Sequence, residues 1–308
     1  MKHNTRAPAG RIAYVDGRYV PHGQAGVHIE DRGLQFSDAV YEVFAIVGGT
    51  LYDEEEHLDR LERSTRELGM PMPMARGALK LVLRELARRN RVTNGALYLQ
   101  LTRGRARRDH PIPEHVRPTL ILMARNIDQA GLLQRRRDGI AVVTRPDERW
   151  ARRDIKSTSL LPNILAKSAA RKAGAYEAWL VDENGEITEG SSTNAWIVDK
   201  DGRIITRDLS NAILPGVTRR VILEAAAEAQ MPVLERAFTP AETLAAHEAF
   251  ISAATAGVIP VVAIDGHRIG EGKPGPLTRR IQELYALKAA RKAGTLPQAS
   301  LLPGLSQM

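Results

Sequence analysis

Lys156 sits in the string Asp154-Ile155-Lys156-Ser157-Thr158, and further along runs Ile187-Thr188-Glu189-Gly190-Ser191-Ser192-Thr193-Asn194, a polar cluster between strand-like stretches. An amine that condenses with a carbonyl to a Schiff base must come from a lysine able to be neutral, and a protonated pyridine ring needs a carboxylate to hold its proton. Lys156 and Glu189 can supply both. Only nine of the 44 basic residues are lysines, so a lysine kept where arginine is the habit is a mild clue. Taken alone, Lys156 reads as a surface lysine, and the Glu189 cluster reads equally as a turn.

A second chemistry is written in Leu214-Pro215-Gly216-Val217-Thr218-Arg219-Arg220. It opens a strong helical pattern, and the free N–H groups of a helix start beside a threonine hydroxyl make an anion site. The plainer reading is an ordinary threonine after a Pro-Gly turn. Ala253-Ala254-Thr255-Ala256-Gly257 is another small-residue loop that lets a ligand approach the backbone. Arg60 lies off the stripe formed by Leu58, Leu61 and Leu68, so periodicity assigns it to a solvated helix face.

These residues need elements to position them. Asp16-Gly17 and Gly48-Gly49 are hairpin signals, flanked by Arg11–Val15 and Tyr19-Val20 and by Ala39–Val47 and Thr50–Tyr52. Amphipathic helices are expected over Glu54–Leu68 and Ala75–Arg89, and antiparallel strands over Ala96–Thr102 and Thr119–Ala124. The polar stretch Arg125–Gly139, with Arg135-Arg136-Arg137 read as a solvated loop, places a domain boundary before a strand at Ile140–Thr144. Beyond it come a helix near Pro162–Lys172, strands at Glu177–Val181, Ala195–Val198 and Arg203–Thr206, and a helix at Val217–Ala229. Strands at Ala249–Ser252 and Val261–Ile264 and a helix at Leu277–Arg291 complete the chain. The fold class is α+β in two domains, 11–130 and 131–293, with loose tails at 1–10 and 294–308.

Bulk properties exclude other classes. The net charge is +8, but the basic runs are short and scattered and only 5% of residues are aromatic, which argues against nucleic acid as a partner. With no cysteine, disulfides, thiolate nucleophiles and thiolate metal sites are out. No apolar leader and no window of about eighteen apolar residues is visible, so no membrane partner and a cytoplasmic location are expected.

Together the pieces form an ordered set that resembles the fold type IV pyridoxal-phosphate aminotransferases, most closely the D-amino acid branch, over roughly residues 11–290. The strings that carry the resemblance are Glu30-Asp31-Arg32-Gly33-Leu34-Gln35-Phe36-Ser37-Asp38, Val40-Tyr41-Glu42-Val43, Glu56-His57-Leu58-Asp59-Arg60-Leu61, Asp154-Ile155-Lys156-Ser157, Thr188-Glu189-Gly190-Ser191-Ser192 and Leu214-Pro215-Gly216-Val217-Thr218-Arg219. The resemblance implies pyridoxal 5′-phosphate as cofactor, with Lys156 as Schiff-base lysine and acid/base. It gives Glu189 the ring nitrogen, and Arg60, Val217, Thr218 and Thr255 the phosphate, with Leu214 packed on the ring face.

Substrate specificity is read from the loop Thr102-Arg103-Gly104-Arg105-Ala106-Arg107-Arg108-Asp109-His110-Pro111. Arg108-Asp109-His110 matches the Arg-x-His carboxylate trap of the D-amino acid enzymes, and with Tyr41 it would hold the substrate α-carboxylate. A guanidinium offers two parallel donors while His and Tyr add bonds from other directions, which fixes the face presented by the α-proton. Ser191 and Ser192 are further substrate-side candidates. The chain departs from the family pattern at Ala256-Gly257-Val258, which lacks a carboxylate many relatives carry, and at Thr193, where a third serine is common. The resemblance further implies a homodimer of a small α/β and a larger α+β domain, with the cofactor in the cleft between them. The implied reaction is ping-pong transfer from a D-amino acid, D-alanine or D-glutamate first, to a 2-oxo acid such as 2-oxoglutarate or pyruvate. The rivals are an L-branched-chain aminotransferase and an aminodeoxychorismate lyase of the same fold, and, from another class, a basic nucleic-acid-binding protein.

Overall fold

The computed structural model describes residues 10–295, in two units. Apart from Gly10, Gly294 and Thr295, the expected tails lie outside the described residues. One unit runs up to Ile127 and takes back Ile155–Ser159; the other is Asp128–Asp154 with the chain from Leu160 onward.

In the first unit, β1 (Ile12–Val15) and β2 (Arg18–Pro21) form a hairpin whose two turn residues, Asp16 and Gly17, have φ of 42° and 89°. Positive φ at both central positions matches the right-handed strand twist, which is why Asp-Gly closes it. A short helix α1 (Arg32–Phe36) follows, then β3 (Ala39–Val47), β4 (Thr50–Leu51), α2 (Glu54–Glu67), α3 (Arg76–Arg89), β5 (Gly95–Thr102) and β6 (Thr119–Asn126). The six strands order as β2-β1-β6-β5-β3-β4. Leu58 and Leu61 of α2 and Leu79, Leu83 and Leu86 of α3 bury against Phe44, Leu97, Leu99 and Leu101 of the sheet. Each such side chain contributes about 1.5–3 kcal/mol, so the leucine stripes that announced these helices also hold them in place.

Residues 155–159 return to this unit along β3. The Tyr41 N–H donates to the Lys156 carbonyl at 2.9 Å and the Thr158 N–H to the Ala39 carbonyl at 3.0 Å, around a bridge between Val40 and Ser157. Lys156 is therefore carried on a strand-like segment with fixed register, beside Tyr41.

The second unit contains α4 (Gln129–Asp138), β7 (Ile140–Pro146), α5 (Leu161–Lys172), β8 (Glu177–Val181), β9 (Ile187–Gly190), β10 (Asn194–Val198) and β11 (Ile204–Thr206). It continues with α6 (Val217–Glu228), β12 (Val233–Glu235), α7 (Pro240–Ala245), β13 (Glu248–Ala253), β14 (Gly257–Ile264), β15 (His267–Arg268) and α8 (Pro276–Lys292). Its sheet is nine-stranded in the order β12-β11-β10-β13-β14-β7-β8-β9, with β15 on β14. Pairing is parallel for β11–β12, β14–β7 and β7–β8 and antiparallel elsewhere.

Two readings of the sequence are corrected here. The arginine run is not a solvated loop: it forms the last turn of α4, and Arg136 is buried with its Nε donating to the Ala256 carbonyl at 3.0 Å. The apolar pattern of α4 is too weak to show, since the helix is held by Arg279 and Gln282 donating to the Arg136 carbonyl. Glu189, which alone could have been a turn residue, lies inside strand β9.

Candidate active site

β3 presents two faces. Val40, Glu42, Phe44 and Ile46 share the buried one, while Tyr41 projects from the other. The ammonium of Lys156 stands 4.3 Å from the centroid of the Tyr41 ring, and the Tyr98 ring lies 5.7 Å from that of Tyr41. Burial, with the neighbouring Tyr41 second, pushes the Tyr98 hydroxyl up to about 12, so it stays protonated and donates to Gln100 Oε1 at 2.8 Å.

Glu42 occupies a core position of β3 because α2 lays two polar residues over it. Arg60 Nε and Nη2 each reach a Glu42 oxygen at 2.8 Å, and His57 Nδ1 lies 2.7 Å from Oε2. Burial alone would raise the carboxyl, but the Arg60 guanidinium outweighs it and holds Glu42 down at about 2. Burial likewise lowers His57 below its ordinary value, Glu42 only partly offsetting it, so the ring is neutral and donates Nδ1–H to the carboxylate. Arg60 is thus not a solvated helix-face residue: only 8% exposed, it is locked in a planar fork by Glu42.

The second unit builds its own constellation around Glu189, 4% exposed. Oε1 accepts from Arg149 Nη1 at 2.5 Å and from the Leu214 N–H at 3.1 Å, and Oε2 accepts from Asn194 Nδ2 at 3.0 Å. Arg149 also forks onto Asp147. Burial works against the Arg149 charge, but Glu189 and Asp147 more than restore it and raise its pKa. Burial also pushes Asp147 up, yet the bond and charge of Arg149 leave it below the usual carboxylate range.

Leu214 leads directly to the start of α6. Gly216 is its N-cap without a side-chain cap, no acidic residue occupies the first turn, and Val217 and Thr218 are both buried. The Thr218 hydroxyl oxygen is buried with no hydrogen-bond partner. An unmet buried hydroxyl costs about 1–3 kcal/mol, which a ligand bearing acceptor oxygens would recover. A Cβ on Gly216 would collide with Asn194 Oδ1, so glycine is required for the chain to pass so near the Glu189 cluster. A carboxylate for a ring nitrogen and an uncapped helix start with a spare hydroxyl fit a phosphorylated pyridine cofactor. Thr255 lies in the turn joining β13 and β14.

Ser191 and Ser192, expected on the substrate side, both donate to Glu177, Ser192 at 2.8 Å. Glu177 is fully buried and also takes the Ala178 N–H and the Lys167 ammonium, each at 2.8 Å. Arg108 and His110 are exposed on the loop between β5 and β6, gathered at the Phe36 ring: Arg108 Cζ is 4.8 Å from its centroid and the His110 ring 5.6 Å. Glu42, His57, Glu177, Arg149 and Asn194 received no role from the sequence. For Glu42 a signal was present, because it shares the parity of Val40, Phe44 and Ile46 and so is a carboxylate aimed at the core.

A family model for amino-transferase class IV matches residues 39–264. This chain belongs to the class IV aminotransferases. It is a pyridoxal-phosphate-dependent enzyme with amino acids and 2-oxo acids as substrates. D-Alanine aminotransferases from Bacillus licheniformis and Staphylococcus haemolyticus are each 40% identical to it, over 87% and 88% of this chain and 93% and 95% of theirs. Among solved structures it is similar to the branched-chain amino acid aminotransferase of Escherichia coli, with TM-score 0.82 and 26% identity over 89% of this chain and 93% of that one. The branched-chain aminotransferase of the thermophilic archaeon Thermoproteus uzoniensis, solved with norvaline, has TM-score 0.78 at 27% identity, covering 93% of this chain and 97% of that one. The two-domain fold type IV architecture is that of this family. Among the described residues, no helix is long and apolar enough to cross a membrane and no cluster of metal-ligating side chains occurs.

Proposed function

We propose that this aminotransferase is a D-amino acid transaminase that moves the amino group of D-alanine or D-glutamate to 2-oxoglutarate or pyruvate. Lys156 would be the residue that holds the cofactor covalently, and its amine would carry the substrate's α-proton. Glu189 holds the ring nitrogen, its orientation set by Arg149, Asn194 and the Leu214 N–H. Val217, Thr218 and Arg60 hold the phosphate, Thr255 adds a ligand, and Leu214 covers the ring face. Bound there, pyridoxal phosphate supplies the carbonyl that accepts the amine and a protonated ring that draws electrons from the α-carbon. Tyr41, Arg108 and His110 bind the α-carboxylate. Ser191 and Ser192 line the substrate side, with Glu177 as the acceptor that sets their hydroxyls.

The observation that carries the D-selective reading is the Arg108-Asp109-His110 loop, whose guanidinium and imidazole share one aromatic platform. The names of the relatives at 40% identity support it. The enzyme works in the cytoplasm as a homodimer, and the dimer is supported by the apolar side chains Ile29, Leu34 and Ile112, which are 77%, 67% and 62% exposed in the single chain. Adding D-alanine or D-glutamate to cofactor-loaded protein, with L-leucine and L-glutamate in parallel, tests the assignment. Conversion of the carbonyl-form absorbance band to the amine-form band by the D-isomers alone is the expected result. Conversion by the L-isomers alone would move the enzyme to the branched-chain branch.

A further inference from the structure

Arg32 is 4% exposed and belongs to none of the roles above. It opens α1, whose N-cap Asp31 accepts from the Gly33 N–H at 2.8 Å and the Thr102 hydroxyl at 2.9 Å. The backbone around it is tied to the foot of the β5–β6 loop, Arg32 N–H to the Gly104 carbonyl at 2.9 Å and Ala106 N–H to the Glu30 carbonyl at 3.2 Å. Its guanidinium then reaches further along the same loop. Nε is neutralised by Asp38 at 2.8 Å, while Nη1 donates to the Asp109 carbonyl at 2.7 Å and the Pro111 carbonyl at 3.4 Å, and Nη2 to the His110 carbonyl at 3.3 Å. Three consecutive carbonyls, centred on His110, converge on one side chain. The same helix supplies Phe36, against whose ring Arg32, Arg108 and His110 all pack.

We propose that Arg32 is the positioning residue of the loop bearing Arg108 and His110, and so sets how tightly the enzyme holds a substrate's α-carboxylate. The inference rests on the reading of that loop as the carboxylate trap. Arg108 and His110 are exposed, and two exposed side chains on a long connection lose orientation unless their backbone is fixed. An arginine fits this task because its rigid fork can serve a carboxylate on one edge and backbone carbonyls on the other, which a lysine ammonium on a flexible stem cannot reproduce. Asp38 makes the arrangement tolerable inside the unit. It is shared with Arg103, whose Nε donates to Asp38 Oδ2 at 2.7 Å and whose Nη2 donates to the Leu68 carbonyl at 2.8 Å, so the anchor is braced against the end of α2. Such a residue acts in both half-reactions, since donor and acceptor carry the same α-carboxylate, and leaves cofactor binding alone.

The test is a cycle on the holoenzyme with Arg32→Lys, Arg108→Met and the double variant, measuring KM and kcat for D-alanine and 2-oxoglutarate and the affinity for pyridoxal phosphate. For Arg32→Lys, KM for both substrates is expected to rise roughly ten-fold or more, with cofactor affinity changed less than about two-fold. In the Arg108→Met background Arg32→Lys should raise KM by less than it does alone, because only the His110 share of the trap remains for it to position. Equal loss of substrate and cofactor affinity, or full additivity in the double variant, would overturn the proposal. If Arg108→Met raises KM and Arg32→Lys does not, only the positioning role falls; if Arg108→Met leaves KM unmoved, the trap reading falls and this inference with it. Should Arg32→Lys not fold, Arg32→Gln, which loses the fork that reaches the three carbonyls, takes its place and must raise both KM values without weakening cofactor binding; unchanged KM values would refute the role.

Discussion

Replacing Glu42 by Gln tests whether the first unit depends on a buried charge rather than on its leucines alone. The carboxyl is fully buried, bonded twice by Arg60 and once by His57, and held at about 2 against an ordinary 4.5. At about 1.36 kcal/mol per pKa unit, that depression makes the ionised form stabilising by about 3 kcal/mol at pH 7. The sign follows from a folded pKa below the unfolded one: the contribution is present above pH 4.5, falls to about 1 kcal/mol at pH 3, and vanishes below pH 2. Gln imitates the protonated carboxyl, so its cost relative to the natural protein should shrink along the same curve. Urea unfolding of cofactor-free protein, followed at several pH values, measures this difference without ligand linkage. Far-ultraviolet circular dichroism is the probe to use, because Trp150, Trp179 and Trp196 all lie in the other unit. A destabilisation that is the same at pH 3 as at pH 7, or under about 1 kcal/mol at pH 7, would refute the ion-pair argument and leave Glu42 as a tolerated polar residue.

His57 should add a second acid sensitivity. Its folded pKa is depressed, chiefly by burial, so the unfolded chain binds the proton more tightly, and stability should fall as pH drops below about 6.5; a flat profile between pH 7 and 5 that His57→Asn does not alter would contradict this. Thr218→Val removes the unpartnered buried hydroxyl, so cofactor-free protein should unfold at the same or a higher temperature while affinity for pyridoxal phosphate drops roughly ten-fold, as titration of the bound absorbance would report. Gly216→Ala should weaken the cofactor through Asn194 and Glu189; affinity equal to that of the natural protein would mean the collision is relieved elsewhere. Lys156→Ala should abolish the absorbance band of covalently linked cofactor, and retention of that band would remove Lys156 from its role.

Much of the fold was legible because its helices and strands obey simple periods. The stripes through Leu58 and Leu61 and through Leu79, Leu83 and Leu86 located α2 and α3 to within a residue, and the Asp-Gly and Gly-Gly turns located their hairpins. Helix α1 and α4 escaped for the opposite reason. Neither carries an apolar stripe, and both are fixed by long-range polar contacts, Arg32 to the carbonyls at 109–111 and Arg279 to the carbonyls of Arg136 and Arg137.

The same division runs through the site. The candidates the sequence offered are those whose chemistry is local: a lysine between polar neighbours, a carboxylate among small residues, a threonine at a helix start. The residues missed act on those and are distant in sequence. Arg149 reaches Glu189 across 40 positions, Glu42 holds Arg60 across 18, and Glu177 gathers Ser191 and Ser192 across 14 and 15. Periodicity placed Arg60 in solvent because a helical wheel assumes that a charged residue faces water. The wheel fails wherever the opposing strand offers a carboxylate at a core position, as β3 does with Glu42. A buried charge in one element therefore predicts a buried counter-charge in its neighbour, and the two have to be sought as a pair: Glu42, visible by strand parity, was the reason to expect Arg60 inside.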